Sequence, residues 1–255
     1  MANTLGIIGV GQLAHYFVAG LRRGGDRRPI LLSPRRPETA QALADAHDCE
    51  IVMDNQAMVD RCDIVVLATR PEQTVETCRA LTFRPDQLVV SVAASVRVAD
   101  IAAVADGATV VRCLPIFSAE VGVGPVPLYP HDDRAAALLG TLGTVVGFAS
   151  EAEFSTATVM GCTFVWQIRM IGEIAAFMER AGLSAADARA MALSTVEAAA
   201  AVGIRKPELD LLATARAIAK PDTFSRMGEE VMEERGAFDA LVAACETIDD
   251  AFGAR

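Results

Sequence analysis

The sequence predicts an α/β domain built on a parallel sheet, followed by an all-α domain. Three observations carry this. Up to about residue 150, short apolar β-type runs alternate with helical stretches. From Glu153 onward no strand pattern returns. A glycine-rich turn joins the first strand to the first helix at Gly9-Val10-Gly11.

The elements follow in order. Thr4–Val10 is apolar and ends in glycine, as a buried parallel strand does. Gln12–Arg23 has helical spacing. Pro29–Ser33 is the second strand and Pro37–Ala46 the second helix. Ile64–Ala68, Leu88–Val92 and Thr109–Cys113 are further strands, with helical segments between them. Val126–Tyr129 and Thr144–Phe148 close the sheet around a helix near Arg134–Leu142. Such alternation predicts parallel strands covered by helices on both faces. The later helices are Phe154–Arg180, Ser184–Val202, Glu208–Ala219, Ser225–Arg235 and Phe238–Phe252. Ala181-Gly182-Leu183-Ser184 supplies a C-cap and then an N-cap. Residues 1–150 are read as one domain and 151–255 as a second. The apolar stripes of the second are long enough to predict an obligate homodimer.

Composition narrows the function. Hydrophobic residues make up 52% of the 255, enough for a substantial core. The net charge of −10 opposes binding to nucleic acid or to an anionic membrane surface. Lys206 and Lys220 are the only lysines, so Schiff-base chemistry has few candidates. The six cysteines form no CxxC pair and none has a histidine at ligand spacing, which predicts reduced thiols, no metal and a cytoplasmic location. No secretory leader and no run of membrane-spanning length is expected; the most apolar stretch, Phe154–Met178, is interrupted by Arg169 and Glu173.

Gly9-Val10-Gly11-Gln12-Leu13-Ala14 is a GxGxxA fingerprint in the required strand–turn–helix context. Gly9 permits the tight turn, Gly11 the close approach of a pyrophosphate, and Ala14 the packing of helix on sheet; Gln12 and Leu13 open the helix whose N-terminus attracts phosphate. The second strand ends in Ser33-Pro34-Arg35-Arg36. An NAD site places an acid about 20 residues past the glycines, and none is present. Ser33 with Arg35 and Arg36 suits a 2′-phosphate, so NADP is predicted in preference to NAD. Thr69-Arg70-Pro71 and Ser91–Ser95, including Ala93, end neighbouring strands where ligands of open α/β sheets bind.

These residues resemble the pyrroline-5-carboxylate reductase family, which reduces a cyclic imino acid to proline with NAD(P)H. Thr69-Arg70-Pro71 resembles the family's VKP, Ser91–Ala94 its SxAA, and Arg112-Cys113-Leu114-Pro115-Ile116 its RxMPN. Pro221–Gly228 followed by Glu233-Glu234-Arg235-Gly236 resembles its PGGTTxxG and the helix beyond. The resemblance covers nearly the whole chain. It implies a Rossmann domain and a helical domain that interlocks with a second subunit and completes the active site.

The substrate-contacting positions depart from that family. Ile116 stands at its Asn. Met160-Gly161-Cys162-Thr163-Phe164-Val165 stands at its SGSGPA loop, and Pro221-Asp222-Thr223-Phe224-Ser225 at its PGGTT loop. In the family these loops hold the substrate carboxylate. Here Ile116, Cys162, Thr223 and Phe224 are expected to line a more apolar pocket, and Asp222 adds negative charge, so a neutral or bulkier imine fits better than the proline precursor. Arg169 or Arg226 is the alternative anion partner. Candidate proton donors are Ser225, Glu120 and Glu173; burial of Glu173 on its apolar helix would make it an acid, whereas exposure would leave it a partner for Arg169. A lysine-dependent ketone or hydroxyacid dehydrogenase finds no lysine before Lys206. Two readings compete with a reductase of altered specificity: a true pyrroline-5-carboxylate reductase and an NADP-binding sensor or scaffold without turnover.

Overall fold

A computed structural model describes residues 3–253 of the chain. They divide into two compact units. The first runs to Thr158 and includes the last described residues from Ala251; the second spans Val159–Asp250. The division falls one short helix later than the change of pattern at Ser150.

The first unit is built on β1 (Leu5–Ile8), β2 (Ile30–Ser33), β3 (Glu50–Ile51), β4 (Ile64–Leu67), β5 (Leu88–Ser91), β6 (Thr109–Cys113), β7 (Pro125–Tyr129) and β8 (Thr144–Gly147). Their order across the sheet is β3-β2-β1-β4-β5-β6-β7-β8. Helices α1 (Gln12–Arg23), α2 (Pro37–His47), α3 (Asn55–Arg61), α4 (Pro71–Arg79), α5 (Val98–Ala102) and α6 (Asp133–Leu139) connect them, and α7 (Glu151–Ala157) follows β8.

Side-chain alternation explains why the strands are apolar throughout. Leu5 and Ile7, Ile64 and Val66, and Leu88 and Val90 face one core with Phe17, Val18 and Leu21 of α1. Ile8, Val65, Leu67 and Val89 face the other with Met58, Cys78 and Ile101 of α3, α4 and α5. A strand covered on both faces has no polar side to show.

Two strand expectations need correction. The sheet is parallel except at β6–β7, which pair antiparallel with Arg112 opposite Tyr129. The connection 114–124 holds a 3₁₀ turn (Phe117–Val121) and is too short for the crossover that a parallel neighbour needs. The two-residue β3 also escapes the sequence pattern, because so short an edge strand has no period.

In the second unit, α8 (Met160–Arg180) and α9 (Ala185–Arg205) pack together through a turn at Gly182, with Ser184 capping α9 through the Asp187 amide. α10 (Leu211–Ile218), α11 (Phe224–Glu234) and α12 (Ala237–Gly253) follow. The single helix expected over Phe154–Arg180 is two. It breaks at Thr158–Val159, where the Thr158 hydroxyl donates to the Ser155 carbonyl and competes with the helical ladder. No described helix is long and apolar enough to cross a membrane.

All six cysteines are free, and Cys62, Cys78 and Cys113 are buried. Burial pushes the Cys62 thiol up to about 12, the Cys78 thiol up to about 11, and that of Cys113 upward as well. Since the thiolate is the reactive form, these three are expected to resist a disulfide reagent at pH 8 in the native protein, whereas all six react in denaturant. Native reaction of more than three thiols would show that the sheet opens on the labelling timescale.

Candidate functional site

The strand order reverses between β1 and β4, which makes the carboxyl ends of these two strands the place where such sheets receive ligands. A cleft of about 410 Å³ lies there, lined by Gly9, Val10, Gly11, Arg35, Arg36, Ala68, Thr69, Arg70 and Gln73.

Its floor is the turn from β1 to α1. Gly9 has φ +90°, and a Cβ on it would meet the Ala68 carbonyl oxygen at 2.7 Å. Only glycine serves here, because a side chain would strain the backbone and push the turn off β4. Gly11 is different. It has φ −109°, and a Cβ on it would meet nothing within 4 Å. The packing of the chain itself does not require glycine at 11. The open space lies at the N-terminus of α1, where Gln12 and Leu13 begin a helix with unpaired N–H groups.

The walls are basic. Arg35 and Arg36 come from the loop after β2, and Arg70 from the N-cap of α4. Among the described residues no carboxylate lines the cleft, although the chain carries a net charge of −10. Three guanidinium groups beside a helix N-terminus suit a ligand with several phosphates. The structure thus brings Gly9, Gly11, Arg35, Arg36, Thr69 and Arg70 together around one cleft. Pro71 opens α4 beside them. Ala93 is buried in the loop after β5, its amide near the Ser91 hydroxyl at 3.4 Å.

Ser33 needs correction. It is buried, and its hydroxyl donates to Asn55 Oδ1 at 2.6 Å. It ties β2 to α3 and has no proton left for a ligand. Asn55 gave no sequence signal of this role, since its contact joins a strand and a helix 22 residues apart. Gln73, one turn into α4, was also missed; its spacing from Arg70 could have placed it on the cleft.

Within the first unit, Glu120 and Ile116 do not line this cleft. Glu120 is exposed on the 3₁₀ turn and lines an adjoining groove of about 580 Å³ along α1 with His15, Tyr16 and His47; this groove shares Val10 and Gly11 with the cleft. There burial and the nearby Arg22 hold His47 below the usual histidine range. Ile116 is half-buried just before that turn. In the second unit Cys162 is half-buried near the start of α8. Glu173 is exposed on α8 and lies 3.7 Å from Arg169 one turn away, so the burial that an acid role requires is absent.

Pro221, Asp222, Thr223, Phe224, Arg226, Met227 and Glu230 line a cavity of about 420 Å³ within the second unit. Thr223 caps α11: its Oγ1 accepts from the Arg226 amide at 3.2 Å and donates to the Lys220 carbonyl at 2.7 Å. Ser225 is exposed in the first turn of α11 and does not line this cavity. Arg226 bonds Glu233, Glu229 and Glu230, which hold its guanidinium firmly charged. Neither Arg169 nor Arg226 is left as an unengaged partner for a substrate carboxylate.

Comparisons with known proteins agree with this geometry. A family model described as NADP oxidoreductase, coenzyme F420-dependent, matches residues 4–95, the segment from β1 through β5. The pyrroline-5-carboxylate reductase of Pseudomonas aeruginosa is 27% identical over 250 residues, covering 93% of this chain and 91% of the relative. That of Corynebacterium melassecola is 26% identical, covering 98% and 99%. The structure of the Streptococcus pyogenes 1-pyrroline-5-carboxylate reductase superposes with a TM-score of 0.87 at 21% identity, over 99% of both chains. The Plasmodium falciparum pyrroline carboxylate reductase with NADP bound gives a TM-score of 0.85 at 16% identity, over 99% of this chain and 97% of that one. Likeness along nearly the whole sequence, the shared fold and the dinucleotide cleft together make the chain similar to the pyrroline-5-carboxylate reductases and support a nicotinamide-dinucleotide oxidoreductase that acts on a C=N bond.

Proposed function

We propose that the protein is an NADP-dependent reductase of the C=N bond of a small imine other than the proline precursor, working in the cytoplasm as a homodimer. The observation that carries the cofactor reading is the cleft at the β1–β4 switch point, with three arginines and no acid. A 2′-phosphate adds two negative charges that Arg35 and Arg36 can take; a bare ribose 2′-hydroxyl would call for the acid that is missing.

When bound, the reduced dinucleotide supplies a hydride to the imine carbon. The residues of this chain bind and orient. Gly11 and the first turn of α1 receive the pyrophosphate, with Arg70 beside it; Arg35 and Arg36 take the 2′-phosphate; Thr69 and Pro71 shape the edge. The imine nitrogen must gain a proton, and Ser225, an exposed hydroxyl in the first turn of α11, is the group proposed to give it.

The altered-substrate reading rests on charge. A desolvated carboxylate must be paired, and leaving it unpaired costs ~1–3 kcal/mol or more. Arg226 is already shared by three carboxylates and Arg169 is paired with Glu173. Asp222 and the 88%-exposed Phe224 make the loop unsuited to an anion and open to an apolar ring. Dimerisation is supported by the helical unit's surface: among the described residues, twenty of the twenty-five exposed large apolar side chains lie between Val165 and Val242. Six unpaired cysteines suit a reducing compartment.

The test is NADPH oxidation with pyrroline-5-carboxylate and with cyclic imines lacking a carboxylate. Turnover confined to the uncharged imines is expected. Efficient turnover of the acid would overturn the substrate reading. In the same assay Arg35→Ala with Arg36→Ala is expected to raise the NADPH KM about 10- to 100-fold, the loss of one or two charge-assisted hydrogen bonds, while leaving that for NADH within a few-fold. Equal effects on the two cofactors would refute the NADP preference.

A further inference from the structure

Arg112 is the penultimate residue of β6 and is only 4% exposed. Its Nη1 donates to Glu151 Oε1 at 2.6 Å, and its guanidinium lies 4.7 Å from the centre of the Phe154 ring. Its Nε is buried with no acceptor among the described residues. A buried pair of this kind is weak evidence for stability, because a well-packed apolar pair serves as well or better. Its geometry suggests another use.

The same Glu151 oxygen also accepts the Val98 amide at 2.9 Å. Val98 opens α5, whose N-cap residue Arg97 provides no side-chain cap. Glu151, at the start of α7, therefore caps α5 from outside while neutralising Arg112 of β6. Between β5 and α5 runs the loop 92–97. Its Val92, Ala93 and Val96 are buried and its Ser95 sits at φ +64°, so its shape is restricted at several points. The loop leaves the sheet beside β4, where Ser91 pairs with Leu67 on one side and Arg112 on the other. It thus flanks the end of β4 that forms the dinucleotide cleft.

We propose that Arg112 and Glu151 are positioning residues: through the Val98 amide they fix the loop 92–97 in the conformation that receives the nicotinamide end of the dinucleotide. The ligand half of this inference rests on the function proposed above; the loop-fixing half does not.

Both halves are read on Glu151→Ala, Glu151→Gln, Arg112→Met and the double variant Glu151→Gln/Arg112→Met. The first readout is hydrogen exchange over residues 92–98 in the ligand-free protein. Glu151→Ala is expected to raise it about tenfold or more by releasing the loop, with other strands unchanged. The second is affinity for NADPH against 2′-phospho-ADP-ribose, which lacks the nicotinamide. Glu151→Ala is expected to weaken NADPH about tenfold, a lost charged hydrogen bond's worth of order, and the fragment less than twofold. The double variant keeps an oxygen for Val98 and removes both charges, so it is expected to restore the exchange rate and the NADPH affinity. Should Glu151→Ala not fold, the double variant Glu151→Ala/Arg112→Met, which removes the acceptor of the Val98 amide without stranding a buried guanidinium, takes its place.

Unchanged exchange at 92–98 overturns the proposal. So does a parallel loss of both ligands without rescue, since that marks a merely structural role. A wild-type protein that binds neither ligand refutes the functional reading and the ligand half with it, and the exchange result still decides whether the pair fixes the loop.

Discussion

Gly11→Val is expected to abolish measurable NADPH binding while leaving the melting temperature within a degree or two of wild type. The backbone at Gly11 has φ −109°, which any L-residue adopts, and a Cβ there meets no atom within 4 Å. The fold therefore accepts valine. The ligand does not, because the isopropyl group fills the space through which a pyrophosphate reaches the N–H groups opening α1. Each charge-assisted hydrogen bond lost weakens binding by about 10- to 100-fold, and several are lost together. Gly9→Ala gives the contrast. Its φ of +90° costs an L-residue ~1–2 kcal/mol, and its Cβ meets the Ala68 carbonyl at 2.7 Å, so the turn must leave β4. That variant should lose stability as well as affinity. Calorimetric titration with NADPH beside a thermal melt checks both. Retained affinity in Gly11→Val would place the dinucleotide somewhere other than the β1–β4 cleft.

The second large effect concerns assembly. Ile168→Asp with Phe177→Asp on α8 is expected to turn a dimer into a monomer at micromolar concentration, as read by sedimentation. Ile168 is 55% and Phe177 62% exposed in the single chain. An interface that covers them gains ~1.5–3 kcal/mol for each side chain, and a buried aspartate reverses that gain and adds a desolvation cost. Among the described residues, no side chain of α8, α10 or α11 is buried, and in α9 only Ala188 and Ala192 are. Helices so poorly covered seldom stand alone in water. A wild-type protein that sediments as a monomer would contradict the dimer directly.

How far the sequence could be read follows from what is local. Helix α1 spans Gln12–Arg23 and β6 spans Thr109–Cys113 as expected, because each is specified by the period of its own apolar residues. The turn between β1 and α1 was equally legible, since its chemistry is confined to six consecutive residues. The fork at Glu173 was visible too: its neighbour one helical turn away, Arg169, is set by spacing alone.

What the tertiary structure decided lies between elements. Ser33 looked free to donate to a 2′-phosphate; only the packing of α3 on β2 brings Asn55 to its hydroxyl. Nothing near Arg112 in sequence announces Glu151, because the two meet only when the sheet is complete. Arg226 carried its partners on its own helix, at Glu229, Glu230 and Glu233, yet whether it would turn to them or toward a ligand depended on the rotamer the fold selects. The sequence by itself determined the dinucleotide-binding half, the helical half and the basic character of the cleft, since periodicity, glycine geometry and charge type are properties of short segments. Which polar groups remain available for chemistry was settled by long-range packing, because a hydroxyl or guanidinium is spent only on the partners that folding brings within about 3 Å of it.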